Sequence, residues 1–211
     1  DINGSDETGN GSNASPYATI EYALSKATTT NPAFYVGKGT FYITNVVSLT
    51  TANHTNNIIG TGLKTHIMVK VLHMKDSVGS LHVYKCVFQP IDDATGDETR
   101  ALFYTPDSYH TIAFYNCLFL KSSNGKYPSN TILFGHANST TPTGKSFYNC
   151  TSMIAQTYDY GSPVFKYCAF LHPATITISS ATKLVYARHA GKISRLSISS
   201  AVSISICTAF E

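Results

Sequence analysis

Charged residues are scarce in this sequence, because Asp, Glu, Lys and Arg make up only 13% of its 211 residues. Soluble domains usually carry roughly 25%. The shortfall, together with the abundance of Ser, Thr, Asn and Gly, favours an extracellular β-rich protein over a cytosolic helical one. The net charge is only +3, and no run of Lys or Arg could follow a phosphate backbone. The sequence therefore predicts no nucleic-acid partner.

Long apolar runs are also missing, since no stretch approaches the roughly 18 residues that a membrane-spanning helix requires. The N-terminal segment DINGSDETGNGSNASP is polar and unlike a signal peptide. These 211 residues are therefore predicted to contain neither a membrane span nor a signal peptide. With 43% hydrophobic residues the chain can still bury a sizeable core, which predicts a single domain over residues 1–211.

A short pattern recurs around each of the five cysteines. The segments are VYKCVF, FYNCLF, FYNCTSM, FKYCAF and ISICTA, with cysteines at positions 86, 117, 150, 168 and 207. The steps between cysteines are 31, 33, 18 and 39 residues, and the last step can hold two short units of 19 or 20. An irregular period in this range is typical of a solenoid whose loops vary in length.

The residues around each cysteine predict a bend in the chain. The third residue before each cysteine is apolar, and the cysteine itself is small and apolar. In one straight strand these two positions would face opposite sides, so both can point inward only if the chain bends at the residue between strand and cysteine. That position holds Lys85, Asn116, Asn149 and Tyr167. Asn is the non-glycine residue that best tolerates a left-handed corner.

This arrangement resembles the right-handed parallel β-helix of the pectate-lyase superfamily, in which an Asn-containing corner joins two short parallel strands. The lead DINGSDETGNGS and the segment SPYATIEYALSKA are similar to the entry and capping helix of β-helical polysaccharide-active enzymes and viral tailspikes. Apolar residues at helical spacing support that helix, with Ser15 and Pro16 at its N-cap and first position. The resemblance implies an all-β fold, a single-stranded right-handed parallel β-helix, with residues 1–30 as lead and capping helix and 31–211 as solenoid coils.

The cysteines are predicted to stack inside such a solenoid, about 4.8 Å apart from coil to coil. We call them the cysteine column, which consists of Cys86, Cys117, Cys150, Cys168 and Cys207. Their number is odd and no CxxC or Cys/His metal spacing occurs, which favours free thiols and leaves one disulfide open as the alternative. An interior position also disfavours a nucleophilic cysteine, because thiolate chemistry requires a positive and partly exposed setting.

The residue just before each corner is predicted to point outward. It is Tyr84, Tyr115 and Tyr148 in three successive units, which we call the tyrosine column, and Lys166 in the next. Such a column can pack beneath a loop, contact another protein chain, or bind sugar rings, which suit aromatic faces. Exposed aromatic residues in this number favour a partner, and a protein contact is predicted ahead of a glycan contact.

The densest carboxylate segment is IDDATGDETR, predicted to lie just past the third strand of the Cys86 unit. Lyases of the pectate type hold Ca²⁺ with carboxylates and abstract a proton with Arg or Lys. The resemblance therefore implies Asp92, Asp93 and Asp97 as metal-ligand candidates, and Arg100 and Lys121 as catalytic candidates. The residues themselves favour ordinary solvated turns, because their spacing matches no EF-hand. No cofactor is predicted, with Ca²⁺ as the alternative.

The resemblance implies an extracellular or virion-surface location, but this scaffold serves lyases, hydrolases and non-catalytic fibres alike. The leading prediction is a module of a viral tail, a fibre or a surface adhesin, with a structural or a glycan- or receptor-binding role. The alternative is a polysaccharide lyase that acts on uronic-acid polymers. The short chain and its few acidic residues favour the non-catalytic prediction. The implied partners are a polysaccharide or cell-surface glycan, or other protein chains in a homotrimer.

Overall fold

The computed structural model describes most of the first half of the chain and shorter segments of the second. The described residues are 1–26, 32–44, 55–69, 72–73, 80–91, 101–105, 111–120, 132–136, 145–153, 157–158, 164–170, 176–178, 183–185, 187–190, 196–198, 203–204 and 207–210. They form parallel β-strands, with one α-helix and one short 3-10 helix, Gly62–Lys64, within this described part. The all-β prediction is therefore confirmed.

Two parallel sheets of eight strands each dominate the described residues. With strands numbered in chain order, sheet A contains β1 (Ala33–Tyr35), β3 (Thr55–Ile59), β6 (Ser80–Tyr84), β9 (Thr111–Tyr115), β12 (Lys145–Tyr148), β15 (Val164–Lys166), β18 (Lys183–Val185) and β21 (Ser203–Ile204). Sheet B contains β2 (Gly39–Ile43), β4 (Thr65–Val69), β7 (Val87–Pro90), β10 (Leu118–Phe119), β13 (Thr151–Ser152), β16 (Ala169–Phe170), β19 (Ala187–Ala190) and β22 (Cys207–Phe210). Strands of the two sheets alternate along the chain.

A third strand follows each sheet B strand from β4 to β19. These strands form two small parallel sheets, one of β5 (Leu72–His73), β8 (Ala101–Thr105) and β11 (Ile132–His136), the other of β14 (Thr157–Tyr158), β17 (Ile176–Ile178) and β20 (Leu196–Ile198). One repeat is thus a sheet A strand, a sheet B strand and a third strand.

The acidic segment IDDATGDETR was predicted to follow the third strand of its repeat. This prediction is wrong. The segment lies between the second strand, β7, and the third, β8.

The strand register places equivalent residues of successive repeats beside one another. Ala169 pairs with Arg188, and Ala187 pairs with Cys207, so Ala187 stands between Cys168 and Cys207 in one register column. It lies 19 residues after the first cysteine and 20 before the second. The prediction that the 39-residue step holds two short units is therefore confirmed.

The predicted corners between sheet A and sheet B are confirmed. Among the described residues, positive φ outside glycine occurs at Lys85 (55°), Asn116 (55°), Asn149 (52°) and Tyr167 (58°), which are the four predicted positions. The backbone N–H at the first three corners donates to the carbonyl preceding the corner of the next repeat, at 2.9 to 3.0 Å. The sheet A hydrogen-bond ladder therefore continues to the bend, and the left-handed residue turns the chain into sheet B.

The core between the sheets is built from stacked aromatic residues. Phe114 pairs in register with Phe147, and their ring centroids lie 5.4 Å apart with planes 15° from parallel. Phe88 and Phe119 from sheet B stack at 5.7 Å, and the ring of Phe119 meets Phe114 edge-on at 5.2 Å. All four side chains are fully buried. Burial of each such side chain contributes about 1.5 to 3 kcal/mol.

The N-terminal helix is present but shorter than predicted. Helix α1 (Ile20–Ser25) starts at the N-cap Thr19, whose side chain accepts a hydrogen bond from Tyr22 N at 3.1 Å. The predicted N-cap at Ser15 is wrong, because Asp6 holds the backbone before the helix in a non-helical conformation through bonds from the N–H groups of residues 18 and 19. The helix buries Ile20 in the core. No helix within the described segments has the length and apolarity to cross a membrane.

Candidate functional site

The outer face of sheet A carries the tyrosine column. Tyr84 pairs in register with Tyr115, which pairs with Tyr148. The ring centroids of the first pair lie 4.7 Å apart with planes 9° from parallel, and those of the second pair 4.9 Å apart with planes 5° from parallel. All three side chains are half-buried, whereas the residues before them in each strand, such as Phe114, are buried. The predicted outward tyrosine column is therefore confirmed.

Stacking determines which part of each tyrosine can reach a ligand. Both faces of the Tyr115 ring are covered, one by Tyr84 and the other by Tyr148, at close to the strand spacing. The column therefore presents ring edges and phenolic hydroxyls to its surroundings rather than ring faces. Each hydroxyl can both donate and accept a hydrogen bond. The arrangement suits edge packing and hydroxyl contacts, and the middle ring offers no flat platform for a sugar.

A histidine borders the same column. The His82 ring meets Tyr84 edge-on at 6.5 Å and Tyr115 edge-on at 6.1 Å. Burial lowers the pKa of His82, which favours the neutral imidazole. Burial, followed by the neighbouring phenolic groups, raises the pKa of Tyr115. His82 carries no motif that marks it in the sequence, but its position two residues before Tyr84 puts it on the same strand face.

The corner residues form a second, polar row beside the tyrosine column. Asn149 Nδ2 donates to Asn116 Oδ1 at 2.6 Å, which links two consecutive corners. At the next repeat Tyr148 pairs with Lys166, whose ammonium lies 5.4 Å from the centroid of the Tyr167 ring. The tyrosine column therefore ends at a positive charge. The Asn row ends at Asn149, because the next corner residue is Tyr167.

Four members of the cysteine column are internal and reduced. Cys86, Cys117, Cys150 and Cys168 are buried and free, and the side chain of the fifth member, Cys207, lies outside the described residues. The thiols of Cys117, Cys150 and Cys168 each lie 3.4 to 3.6 Å from two sheet A carbonyls, one in the preceding repeat and one two residues before the cysteine, and can donate to either. Cysteine therefore fills a narrow interior position and also satisfies a strand-end carbonyl.

We expect slow labelling of these thiols by a disulfide reagent in the native protein. Burial raises the pKa of Cys86 to about 12, and contact with the Cys117 thiol, followed by burial, raises the pKa of Cys150 to about 12. Since only the thiolate attacks, native labelling at pH 8 should be about a hundredfold or more slower than in denaturant. All five cysteines should react after denaturation. Rapid labelling of several in the native state would contradict the internal column.

The remaining candidates from the sequence cannot be assembled into a site. Asp92, Asp93, Asp97, Arg100 and Lys121 lie outside the described residues. Within the segments that are described, no group of three His, Cys, Asp or Glu side chains is arranged to hold a metal ion. Of the predicted site residues, the structure brings together the three tyrosines.

Comparison with known proteins adds no further assignment. No protein-family model, curated protein or solved structure that was compared with this chain matches it.

Proposed function

We propose that this chain is a structural module of an extracellular or virion-surface assembly, such as a viral tail, a fibre or a surface adhesin. We further propose that it folds as a right-handed parallel β-helix of the pectate-lyase type. Support comes from the repeated order of three strands, the in-register parallel pairing and the left-handed corners. The helix that packs on the first strands adds to this support. Stacked repeats of this kind give a long, stiff body with flat sides.

The tyrosine column serves in this proposal as the contact surface with further copies of the chain. The observation that carries it is the stacking of the three rings, which leaves edges and hydroxyls exposed to a partner. Tyrosine is enriched in protein interfaces, where it combines apolar area with a hydrogen-bonding end. A standard interface buries about 800 Å² per partner. The three tyrosines are already half-buried and stacked, so they would form the centre of such an interface and supply only part of its area.

The test is the triple substitution of Tyr84, Tyr115 and Tyr148 to Ser. We expect multi-angle light scattering to show an oligomer for the native chain and a monomer for the variant, because the shared aromatic surface is lost. Glycan-array binding should be unchanged in the variant. Tyr42→Ser is the matched control, since Tyr42 is 57% exposed on sheet B, outside the column.

Two other outcomes would contradict the interface. Loss of a glycan signal from a chain whose mass is unchanged would assign the column to sugar binding. No change in either mass or glycan signal, with only a fall in the thermal unfolding temperature, would assign the column to the stability of its own chain.

We expect no lyase activity on uronic-acid polymers. The groups that the structure brings together on sheet A are phenols, an imidazole and amides, and none is a base beside a metal-binding carboxylate cluster. Polygalacturonate and alginate incubated with the protein and Ca²⁺ should show no rise in near-ultraviolet absorbance from unsaturated sugar. A Ca²⁺-dependent rise that disappears in Asp92→Ala or Lys121→Ala would replace our proposal with the lyase alternative.

A further inference from the structure

The strand register extends the tyrosine column toward the N-terminus. Tyr84 pairs with Ile59, which pairs with Tyr35 in the first strand of sheet A. The side chain of Tyr35 is 80% exposed and makes no ring contact within the described residues. Because Ile59 separates Tyr35 from the next tyrosine, its ring faces are not covered by stacking. Tyr35 therefore offers the open aromatic face that Tyr115 lacks.

Tyr35 borders a cleft between the N-terminal lead and the first strands of sheet A. Its volume is about 580 Å³, within the range of roughly 300 to 1,000 Å³ that small-ligand sites occupy. Uncharged polar side chains on its walls are those of Asn10, Ser12, Asn13 and Thr61, and Tyr17 and Tyr35 add phenolic rings. The cleft is thus formed by two segments that are distant in sequence and meet only in the folded chain.

The lead that forms one wall is held in place by its own hydrogen bonds. Ser5 N donates to Pro16 O at 3.0 Å, and Asn10 N donates to Ser15 O at 2.9 Å. Gly11 has φ 79°, and a Cβ at this position would meet a carbon of the Tyr17 ring at 2.7 Å. Glycine therefore allows the lead to approach the ring that lines the cleft. Because this wall is fixed before binding, less conformational entropy is lost when a ligand binds.

The cleft walls are rich in uncharged hydrogen-bonding groups. The Asn13 side chain makes no hydrogen bond within the described part of the chain, and Asn10 uses only its Oδ1, to accept from Ser12 N at 3.0 Å. The amide donors of both residues are therefore available to a ligand. The only charged side chain on the walls is Asp1, and neither Lys nor Arg lines the cleft. The Asp1 carboxylate would therefore repel a carboxylate ligand, and the α-ammonium of Asp1 already donates to Tyr17 O at 2.7 Å.

We propose that this cleft binds an uncharged pyranose sugar, which stacks on Tyr35 and receives hydrogen bonds from Asn10 and Asn13. A pyranose ring combines an apolar face with a rim of hydroxyls, and the site combines an open aromatic face with amide groups. This site is separate from the interface proposed for the tyrosine column. Experiment can therefore contradict either proposal while the other stands.

Saturation-transfer NMR on the full chain tests the proposal. The probes are methyl glycosides of glucose, galactose, mannose and N-acetylglucosamine, with glucuronate and galacturonate as charged counterparts. We expect at least one neutral glycoside to bind, and glucuronate and galacturonate to bind about tenfold more weakly than it, because the Asp1 carboxylate repels them. Tyr35→Ser should weaken binding by about tenfold, and Asn13→Ala should weaken it too.

The controls separate this site from the rest of the surface. Tyr42→Ser, which removes an exposed tyrosine that does not line the cleft, should bind as the native chain does. The triple serine variant of the tyrosine column should also keep its sugar affinity. Absence of binding by every neutral glycoside overturns the proposal, as does native affinity in Tyr35→Ser. If the triple variant loses sugar binding and Tyr35→Ser keeps it, the sugar site lies on the tyrosine column. That result would also overturn the proposal.

Discussion

Replacement of Phe114 by alanine is expected to lower the free energy of unfolding by about 3 to 5 kcal/mol. Phe114 is fully buried, stacks on Phe147 at 5.4 Å and contacts Phe119 edge-on at 5.2 Å. Truncation removes apolar area and leaves a cavity that neighbours held by parallel strands cannot fill. Chemical denaturation at a fixed protein concentration measures the loss as a shift of the midpoint.

The adjacent residue provides the control for Phe114. Tyr115 is also aromatic and also stacked, but it points outward and is only half-buried. Tyr115→Ala should cost about 1 kcal/mol, in the range of a partly exposed aromatic pair. Equal losses for the two variants would contradict the assignment of inward and outward positions in β9. If Phe114→Ala does not fold, Phe114→Leu against Tyr115→Leu gives the same comparison with a smaller cavity.

Substitution of Asn149 by valine should be the second most damaging change, with an expected loss of about 2 kcal/mol. Asn149 has φ 52°, a left-handed conformation in which a β-branched side chain is strained. Its amide also donates to Asn116 Oδ1 at 2.6 Å, and valine cannot replace that bond. Thermal and denaturant unfolding, monitored by circular dichroism, measure the loss.

Glycine at the same position separates the two causes. Asn149→Gly keeps the left-handed backbone without strain and loses only the side-chain hydrogen bond, so its cost should stay within about 1 kcal/mol. Tyr167→Asn, at a corner where a bulky residue has φ 58°, should leave stability unchanged or raise it. A glycine variant as unstable as the valine variant would show that the side-chain contact, and not the backbone conformation, is decisive.

The corners could be predicted because the signal for them is local. An inward apolar residue and an inward cysteine three positions apart require a bend, and the residue at the bend must accept a positive φ. Asn116 and Asn149 meet that requirement, because Asn tolerates a positive φ. Lys85 and Tyr167 also have a positive φ, although neither residue type predicts one. Spacing around the cysteine was therefore a better guide than the identity of the corner residue.

The start of the helix was mispredicted because its cause lies far away in sequence. Ser15 and Pro16 form a good local start signal, but Thr19 is the N-cap. Its hydroxyl donates to Asp6 Oδ2 at 2.6 Å, a contact across 13 residues. Burial opposes ionisation of Asp6, but hydrogen bonds from Thr19 and Ala18 outweigh it and lower the pKa of this carboxyl. The ionised carboxylate fixes the chain just before the helix.

Tyr35 was missed although a signal for it was present. The dipeptide Phe34-Tyr35 repeats the Phe-Tyr dipeptides that precede Asn116 and Asn149, but no cysteine follows it. The structure places Thr65 in the register column that continues as Cys86, and its hydroxyl donates to Gly37 O at 2.9 Å. Thr65 belongs to the repeat of Ile59, and the same register column continues to Gly39 in the repeat of Tyr35. A search for the cysteine alone could not detect either of these repeats.

The sequence by itself determined which residues lie inside and outside, because side-chain direction in a strand alternates with a fixed period of two. It placed Tyr84, Tyr115 and Tyr148 on one outer face and the cysteines in the interior. Only the tertiary structure decided what these tyrosines present to a partner. In-register parallel strands bring three rings to 4.7 and 4.9 Å, the distance at which aromatic faces cover one another. Ile59 leaves Tyr35 outside that stack, so the same residue type can serve two different surfaces.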